Sequence, residues 1–386
     1  MNGSMSNRAL AIVAGTVALA TAACAREPVR GSTPTLRMAA SGPALPFARA
    51  ASVRPFRLPA DHGPHFDYET EWWYFTGNVA DPKGRHFGYQ LTFFRRGLSP
   101  GPPPAGPGLA TNQIYFAHFA LTDSTAGHHV FAERWSRGAG GLAGAQAEPL
   151  ALWLEDWRVE GRRGDGSALR LEARDGPSGL DLELESEKPL ANHGDRGLSP
   201  KSDEPGNASY YVGYTRLLAR GRITTSAGAF EVTGTGWFDH EWSTSALGPG
   251  AIGWDWFSLQ TSDQRELMFF QIRREDGSLE AASGGTLVEP DGRTRRLGAT
   301  DVEVQVEKRW TSPVTGAVYP ARWTVRVPSA DLELRVAPWL PDQEMRTSFT
   351  YWEGAVRIEG TSAGQTVQGN GYVELTGYAR SMQGVF

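Results

Sequence analysis

The chain has 386 residues, a formal charge of −5, 46 glycines and a single cysteine. No basic block occurs, which argues against nucleic acid as a partner. A lone cysteine excludes an internal disulfide framework.

Residues Met1–Arg8 are polar with one positive charge, Ala9–Ala20 is apolar, and Thr21-Ala22-Ala23 precede Cys24. That order predicts an export signal over residues 1–23. The apolar run is shorter than the roughly 20 residues a bilayer span needs, and no later stretch is long enough, so no crossing of a membrane is expected. Cys24 stands where a bacterial lipoprotein signal places its lipidated cysteine, and Ala25 follows it. The expectation is an exported protein, periplasmic or held at the outer membrane by a lipid anchor. Simple cleavage near Ala22 or Ala23, with a soluble product, is the alternative. Residues 24–54 lack apolar periodicity and read as a tether.

Residues 55–386 read as two β-domains. Leu180-Asp181-Leu182-Glu183-Leu184-Glu185, Val302–Glu307, Trp323–Val327 and Leu332–Val336 alternate apolar with polar residues. Period two is the pattern of strands with one wet face. Asp175-Gly176-Pro177, Asp276-Gly277 and Pro290-Asp291-Gly292 mark turns. No long segment has helical periodicity, so the predicted class is all-β, sandwich or barrel. Five ordered matches suggest a duplication. They pair Trp72–Phe75 with Trp254–Phe257, Phe93–Arg96 with Phe269–Arg274, and Arg134-Trp135-Ser136 with Arg309-Trp310-Thr311. Ser209-Tyr210-Tyr211 also pairs with Thr350-Tyr351-Trp352, and Val232–Asp239 with Val367–Glu374. The predicted domains are residues 55–243 and 244–386.

The junction holds the richest chemistry. Trp237, Asp239, His240, Glu241 and Trp242 close the first copy, and Trp254, Asp255 and Trp256 open the second. Carboxylates among aromatics form either a hydrogen-bonded structural knot or an acid in an apolar pocket, where desolvation keeps a carboxyl protonated. Asp239 has Glu374 as its counterpart in the other copy, which favours a shared structural role. Asp255 has Trp73 at the matching place, so it breaks the symmetry and ranks first as a catalytic acid. His62, His65 and His240 could meet at a metal. His-x-x-His in a Gly-Pro loop does not hold both rings on one face, so hydrogen bonding is their expected role and no metal is expected. No glycine-rich stretch opens a helix, so no phosphate-binding loop is expected, and no cofactor is expected.

Asp61-His62-Gly63-Pro64-His65, Glu71–Gly77, Asn207–Tyr211, Asp239–Trp242 and Gly253–Phe257 together resemble the carotenoid 1,2-hydratase (hydroxyneurosporene synthase) family, also called CrtC/AttH-like proteins. The resemblance covers about residues 55–380 and implies paired lipocalin-like β-barrels. It also implies that His240, Trp242 and Asp255 take part in hydration; Asp239 and Glu241 are the other candidate acids that the residues of the junction themselves offer. Trp72, Trp73, Tyr210, Trp237, Trp254 and Trp256 are the expected ligand walls. The expected function is acid-catalysed addition of water to a C=C bond of a lipophilic molecule. A lipid carrier or envelope lipoprotein without catalysis is the alternative, and an isomerase or cyclase of a polyketide-like substrate is a third.

Overall fold

In a computed structural model, the chain is described over residues 46–104, 110–245 and 247–385. The expected signal over 1–23, Cys24 and most of the tether lie outside those residues. Thirteen strands form the first sheet. They are β1 (Thr70–Ala80), β2 (His86–Gly97), β3 (Gln113–Asp123), β4 (His128–Arg137), β5 (Ala143–Ala147), β6 (Leu150–Leu154) and β7 (Trp157–Gly161). β8 (Ala168–Asp175), β9 (Ser178–Ser186), β10 (Ala191–Asn192), β11 (Leu198–Pro200), β12 (Ala208–Thr225) and β13 (Gly228–Ser243) complete it. The second sheet holds β14 (Ala251–Thr261), β15 (Glu266–Arg274), β16 (Gly284–Val288), β17 (Thr294–Gly298) and β18 (Glu303–Thr311). β19 (Val318–Val327), β20 (Leu332–Pro338), β21 (Glu344–Arg346), β22 (Thr350–Ser362) and β23 (Gln365–Leu375) follow. All pairings are antiparallel, and each sheet curls into a nearly closed, lipocalin-like barrel.

The strand order is β4-β3-β2-β1-β13-β12-β9-β8-β7-β6-β5 in one sheet and β17-β16-β15-β14-β23-β22-β20-β19-β18 in the other. From β4 to β7 the first order matches the second position by position, and β6 and β5 extend it. This supports the first, second and fifth sequence matches, puts the fourth on equivalent strands but one residue out of register, since Tyr211 corresponds to Tyr351, and corrects the third. Trp310 lies on β18, which takes the place of β7 at the far end of the sheet, so it is not the counterpart of Trp135 on β4.

The wet-faced strands behave as their alternation predicts. Leu180, Leu182 and Leu184 of β9 enter the first core, while Asp181 faces out to Arg170 at 2.9 Å. Gly176, at φ +52°, turns β8 into β9. β1 differs, being buried almost throughout. Trp73 and Phe75 fill the first barrel, while Trp72 and Tyr74 face the second sheet. A strand covered on both faces carries no polar alternation.

The faces of β1, β13, β14 and β23 meet in a third core around Tyr74, Trp237, Trp256 and Tyr372. Two contacts across it are reciprocal. Asn78 donates to the Gly371 carbonyl at 3.0 Å, and Gln260 donates to the Gly236 carbonyl at 2.9 Å. In strand register these are the same two positions exchanged between copies, so the sheets meet about an internal pseudo-twofold axis. Both sheets belong to one compact unit. The tether ends sooner than predicted. Ala50 is buried, and Arg54 pairs with Asp61 at 2.5 Å while lying over Phe56, Tyr210 and Trp242, so packing begins before Pro55.

Candidate active site between the two sheets

A cavity of about 90 Å³ lies at the pseudo-twofold axis. Its apolar walls include Trp72, Tyr74, Phe94, Trp254, Trp256 and Phe270, and its polar groups are Thr92, Lys201, Tyr211, Asp239, Glu241 and Glu374. Asp239 and Glu241 reach it because alternate residues of β13 point the same way.

That alternation sends His240 and Trp242 to the other side. His240 is fully buried in the first barrel, stacked on Trp73 at 4.8 Å, and its Nε2 meets Glu71 Oε1 at 2.9 Å. Trp242 stacks on His65 at 3.8 Å. Asp255 also points away, into the end of the second barrel, with Arg273 at 2.9 Å and the Tyr378 hydroxyl at 2.9 Å. The placing of Asp255, His240 and Trp242 in one site, as the resemblance implies, is therefore corrected: period two separates them from the cavity. Trp73 and Tyr210 are corrected for the same reason, since Trp73 fills the first core and Tyr210 packs near Trp242 and Phe56. Trp72, Trp254 and Trp256 line the cavity as expected. Trp237 sits behind them, edge-on to Trp256.

Asp255 is counterbalanced rather than free. Burial raises its carboxyl pKa, against the opposing pull of Arg273 and the Tyr378 hydroxyl. Register explains why it broke the sequence symmetry. Arg95 lies opposite Glu71 and Arg273 opposite Gly253, so the two arginines are equivalent. Arg95 pairs with Glu71 at 2.8 Å, and Arg273 with Asp255. The arginine is shared by both copies, and its acid has moved two residues along the strand.

His65, Glu71 and His240 hold ligand-type atoms within 4.8 Å of one another. Both imidazoles bond Glu71 Oε1, while His240 Nδ1 has no partner among the described residues. His65 Nδ1 lies 2.7 Å from Glu71 Oε1, and Arg95 holds the second oxygen. Burial alone would push the Glu71 carboxyl up, but Arg95 and His65 bring it well below its ordinary range. Burial opposes charge on His65, and Glu71 and Asp61 overcome it, so its pKa rises. His240 is lowered to about 4 by burial. Arg95 brings a fixed positive charge to the buried Glu71 carboxylate.

The cavity acids are held differently. Tyr211 donates to Asp239 Oδ2 at 2.5 Å, and Trp256 Nε1 donates to the Tyr211 hydroxyl at 3.0 Å. Glu241 accepts from Ser209 and pairs with Lys201 at 2.6 Å. Glu374 accepts from Trp254 Nε1 at 3.1 Å, and no ion pair with a cationic side chain forms at it among the described residues. Burial pushes its carboxyl up to about 8, with Glu241 adding to the rise. Beside it, Glu353 accepts from the Tyr74 hydroxyl at 2.6 Å. Burial and the charge of Glu374 hold Glu353 well above the ordinary carboxyl range. Near neutral pH the second sheet thus presents a protonated acid to an aromatic cavity.

Sequence reasoning missed Tyr74, Lys201, Tyr211, Glu353 and Glu374 as site residues. The duplication held a usable signal for Glu374. Equivalent residues near a twofold axis face a common centre, so Asp239 and Glu374 had to be close if either was.

The family profile described as AttH-like matches residues 49–378. A crystal structure assigned as AttH, from Nitrosomonas europaea, is 33% identical with a TM-score of 0.75, covering 86% of this chain and 100% of that one. Kievitone hydratase from Nectria haematococca is 14% identical with a TM-score of 0.64, covering 83% of this chain and 92% of its own. It shares the fold. No curated protein sequence matches the chain.

Proposed function

We propose that this chain, which belongs to the AttH-like family, protonates a carbon–carbon double bond of a lipophilic molecule held between its two sheets and directs water to the resulting cation. The observation that carries this reading is the cavity itself: aromatic faces and the carboxyls of Asp239, Glu241 and Glu374 line one space. Glu374 is the acid. Its proton forms a C–H bond with the less substituted alkene carbon, the π pair is consumed, and a tertiary cation is left. The faces of Trp72, Trp254, Trp256 and Phe270 stabilise that cation. Water supplies the new C–O bond, and its proton returns to a carboxylate, Asp239 or Glu374. The reverse sequence removes water.

The cavity has room for several water-sized groups, enough for the reacting end of a long molecule and its water, with the remainder extending toward solvent. A carotenoid end group is one substrate of this shape. Kievitone hydratase is a hydratase by name, and at its low identity it supports the fold only.

The test is turnover of an isoprenoid with a terminal trisubstituted alkene in water labelled with heavy oxygen. The label should enter the product with the wild type and be lost with Glu374→Gln, while tryptophan quenching by the same isoprenoid persists. Quenching without labelled product in the wild type would leave a carrier and refute the hydratase. Export with a lipid anchor at Cys24 is part of the same proposal, because an anchor would hold the cavity at the membrane where such molecules dissolve.

A further inference from the structure

His193 lies in the turn between β10 and β11, outside every motif considered so far. It is fully buried, and neither ring nitrogen has a hydrogen-bond partner among the described residues. Leaving a buried polar atom unpaired costs about 1–3 kcal/mol, so such a group calls for an explanation. The backbone fixes the ring firmly. His193 N donates to the Tyr211 carbonyl at 3.0 Å, and Gly197 N donates to the His193 carbonyl at 2.8 Å.

The ring faces the back of the cavity wall. Its Nε2 is 3.6 Å from Asp239 Oδ1, the carboxylate oxygen that Tyr211 leaves unpaired, and the ring centre is 4.4 Å from that of Tyr211. A second observation is independent of these distances. Gly213 lies directly opposite Asp239 in register. A Cβ there would collide with Asp239 Oδ1 and come within 3.3 Å of His193 Nε2. Glycine inside a strand is unfavourable, and it marks a place where another group approaches closely. In the second sheet the equivalent position is Glu353. The gap therefore exists on one side only, where the imidazole meets the carboxylate.

We propose that His193 is a positioning residue for Asp239, closing by about 0.5 Å into a hydrogen bond when the cavity fills. Asp239 then sits between two donors, His193 Nε2–H on Oδ1 and the Tyr211 hydroxyl on Oδ2. Its orientation is fixed for taking the proton that the attacking water releases. This rests on the hydration reading for the reaction, but the pairing can be tested without turnover.

The experiment is nitrogen-15 NMR of the histidine rings in the full chain. A downfield Nε2–H signal from His193 should be present in the wild type, stronger after adding anilinonaphthalene sulfonate to fill the cavity. It should be absent in Asp239→Asn and retained in Glu374→Gln. In the labelled-water assay, His193→Phe should lower kcat by about a hundredfold with KM little changed. His193→Gln, which keeps a donor, should recover part of that. No such signal, a signal indifferent to Asp239→Asn, or one indifferent to the probe would each overturn the pairing. Normal kcat in His193→Phe would overturn the positioning role. If the wild type adds no water at all, the hydration reading fails and the ring signals still decide the pair. If His193→Phe does not fold, the Asp239→Asn spectra stand alone.

Discussion

Glu374→Gln should change how stability depends on pH. The Glu374 carboxyl is pushed up to about 8, against an ordinary 4.5. Below about pH 4.5 it is neutral in both folded and unfolded chains and costs nothing. Between there and about 8 the unfolded chain ionises while the folded one keeps its proton. Each pH unit in that window removes about 1.4 kcal/mol of stability. Above about 8 the penalty levels off. The full separation corresponds to about 5 kcal/mol, and contact with cavity water brings it nearer half that. Glu353 acts in the same direction, raised by burial and by the charge of Glu374. Removing Glu374 relieves its neighbour too, so the pair responds as a unit. Urea midpoints from about pH 5 to about pH 9 measure the effect. The wild type should lose stability up to about pH 8 and level off above it, and Glu374→Gln should give a distinctly flatter profile. Parallel profiles would refute a protonated acid in the cavity, and with it the catalytic role given to Glu374.

Asp255→Asn should cost about 3 kcal/mol in a thermal melt, the low end for a buried pair because Arg273 reaches solvent on one side, and should leave quenching by a cavity ligand unchanged. Arg95→Met should cost about 3–5 kcal/mol in urea denaturation. It strips Glu71, Gln113 and the His65 and Tyr68 carbonyls of their donor while leaving the cavity intact. Cys24→Ser, expressed in a bacterium with a lipoprotein pathway, should move the protein from the membrane pellet to the soluble fraction. A wild type that is already soluble, with its N-terminus mapped elsewhere, removes the anchor.

Much of the fold could be read from the chain because β9, β18 and β20 each keep one face wet, and period two then shows. β1, β13 and β14 hold the site yet are buried on both faces, so alternation no longer separates core from interface. Period two sets Asp239 and Glu241 on the opposite face of β13 from His240 and Trp242, a separation the sequence reading did not draw. Nothing local said which of the two sets met the second sheet. Asp255 misled because its arginine lies across the strand pair, 18 residues away in sequence. His193 sits in a turn, where no periodicity exists to mark it.

The division of roles in the cavity follows from where two copies of one domain have diverged. A perfect twofold would put the same acid on both sides, each in the same surroundings, with no means of giving a proton on one side and taking it on the other. Here the equivalent positions differ. Tyr74 faces Trp256, Asp239 faces Glu374, and Gly213 corresponds to Glu353. On the second side burial without a paired cation, with the charge of Glu241 nearby, favours the protonated acid Glu374. On the first side the missing side chain at Gly213 opens the space through which His193 approaches Asp239, while Tyr211 holds the other oxygen. Exchanging these surroundings is therefore the sharpest way to perturb the chemistry. Gly213→Ala closes the gap on the acceptor side. Glu241→Gln weakens the proton hold on the donor side, because the charge of Glu241 adds to the rise of the Glu374 carboxyl. In the labelled-water assay the first should lower kcat at every pH. The second should shift the basic limb of the pH–rate profile to lower pH, since the acid then loses its proton sooner. A basic limb that stays in place would mean that Glu374 is not the proton donor.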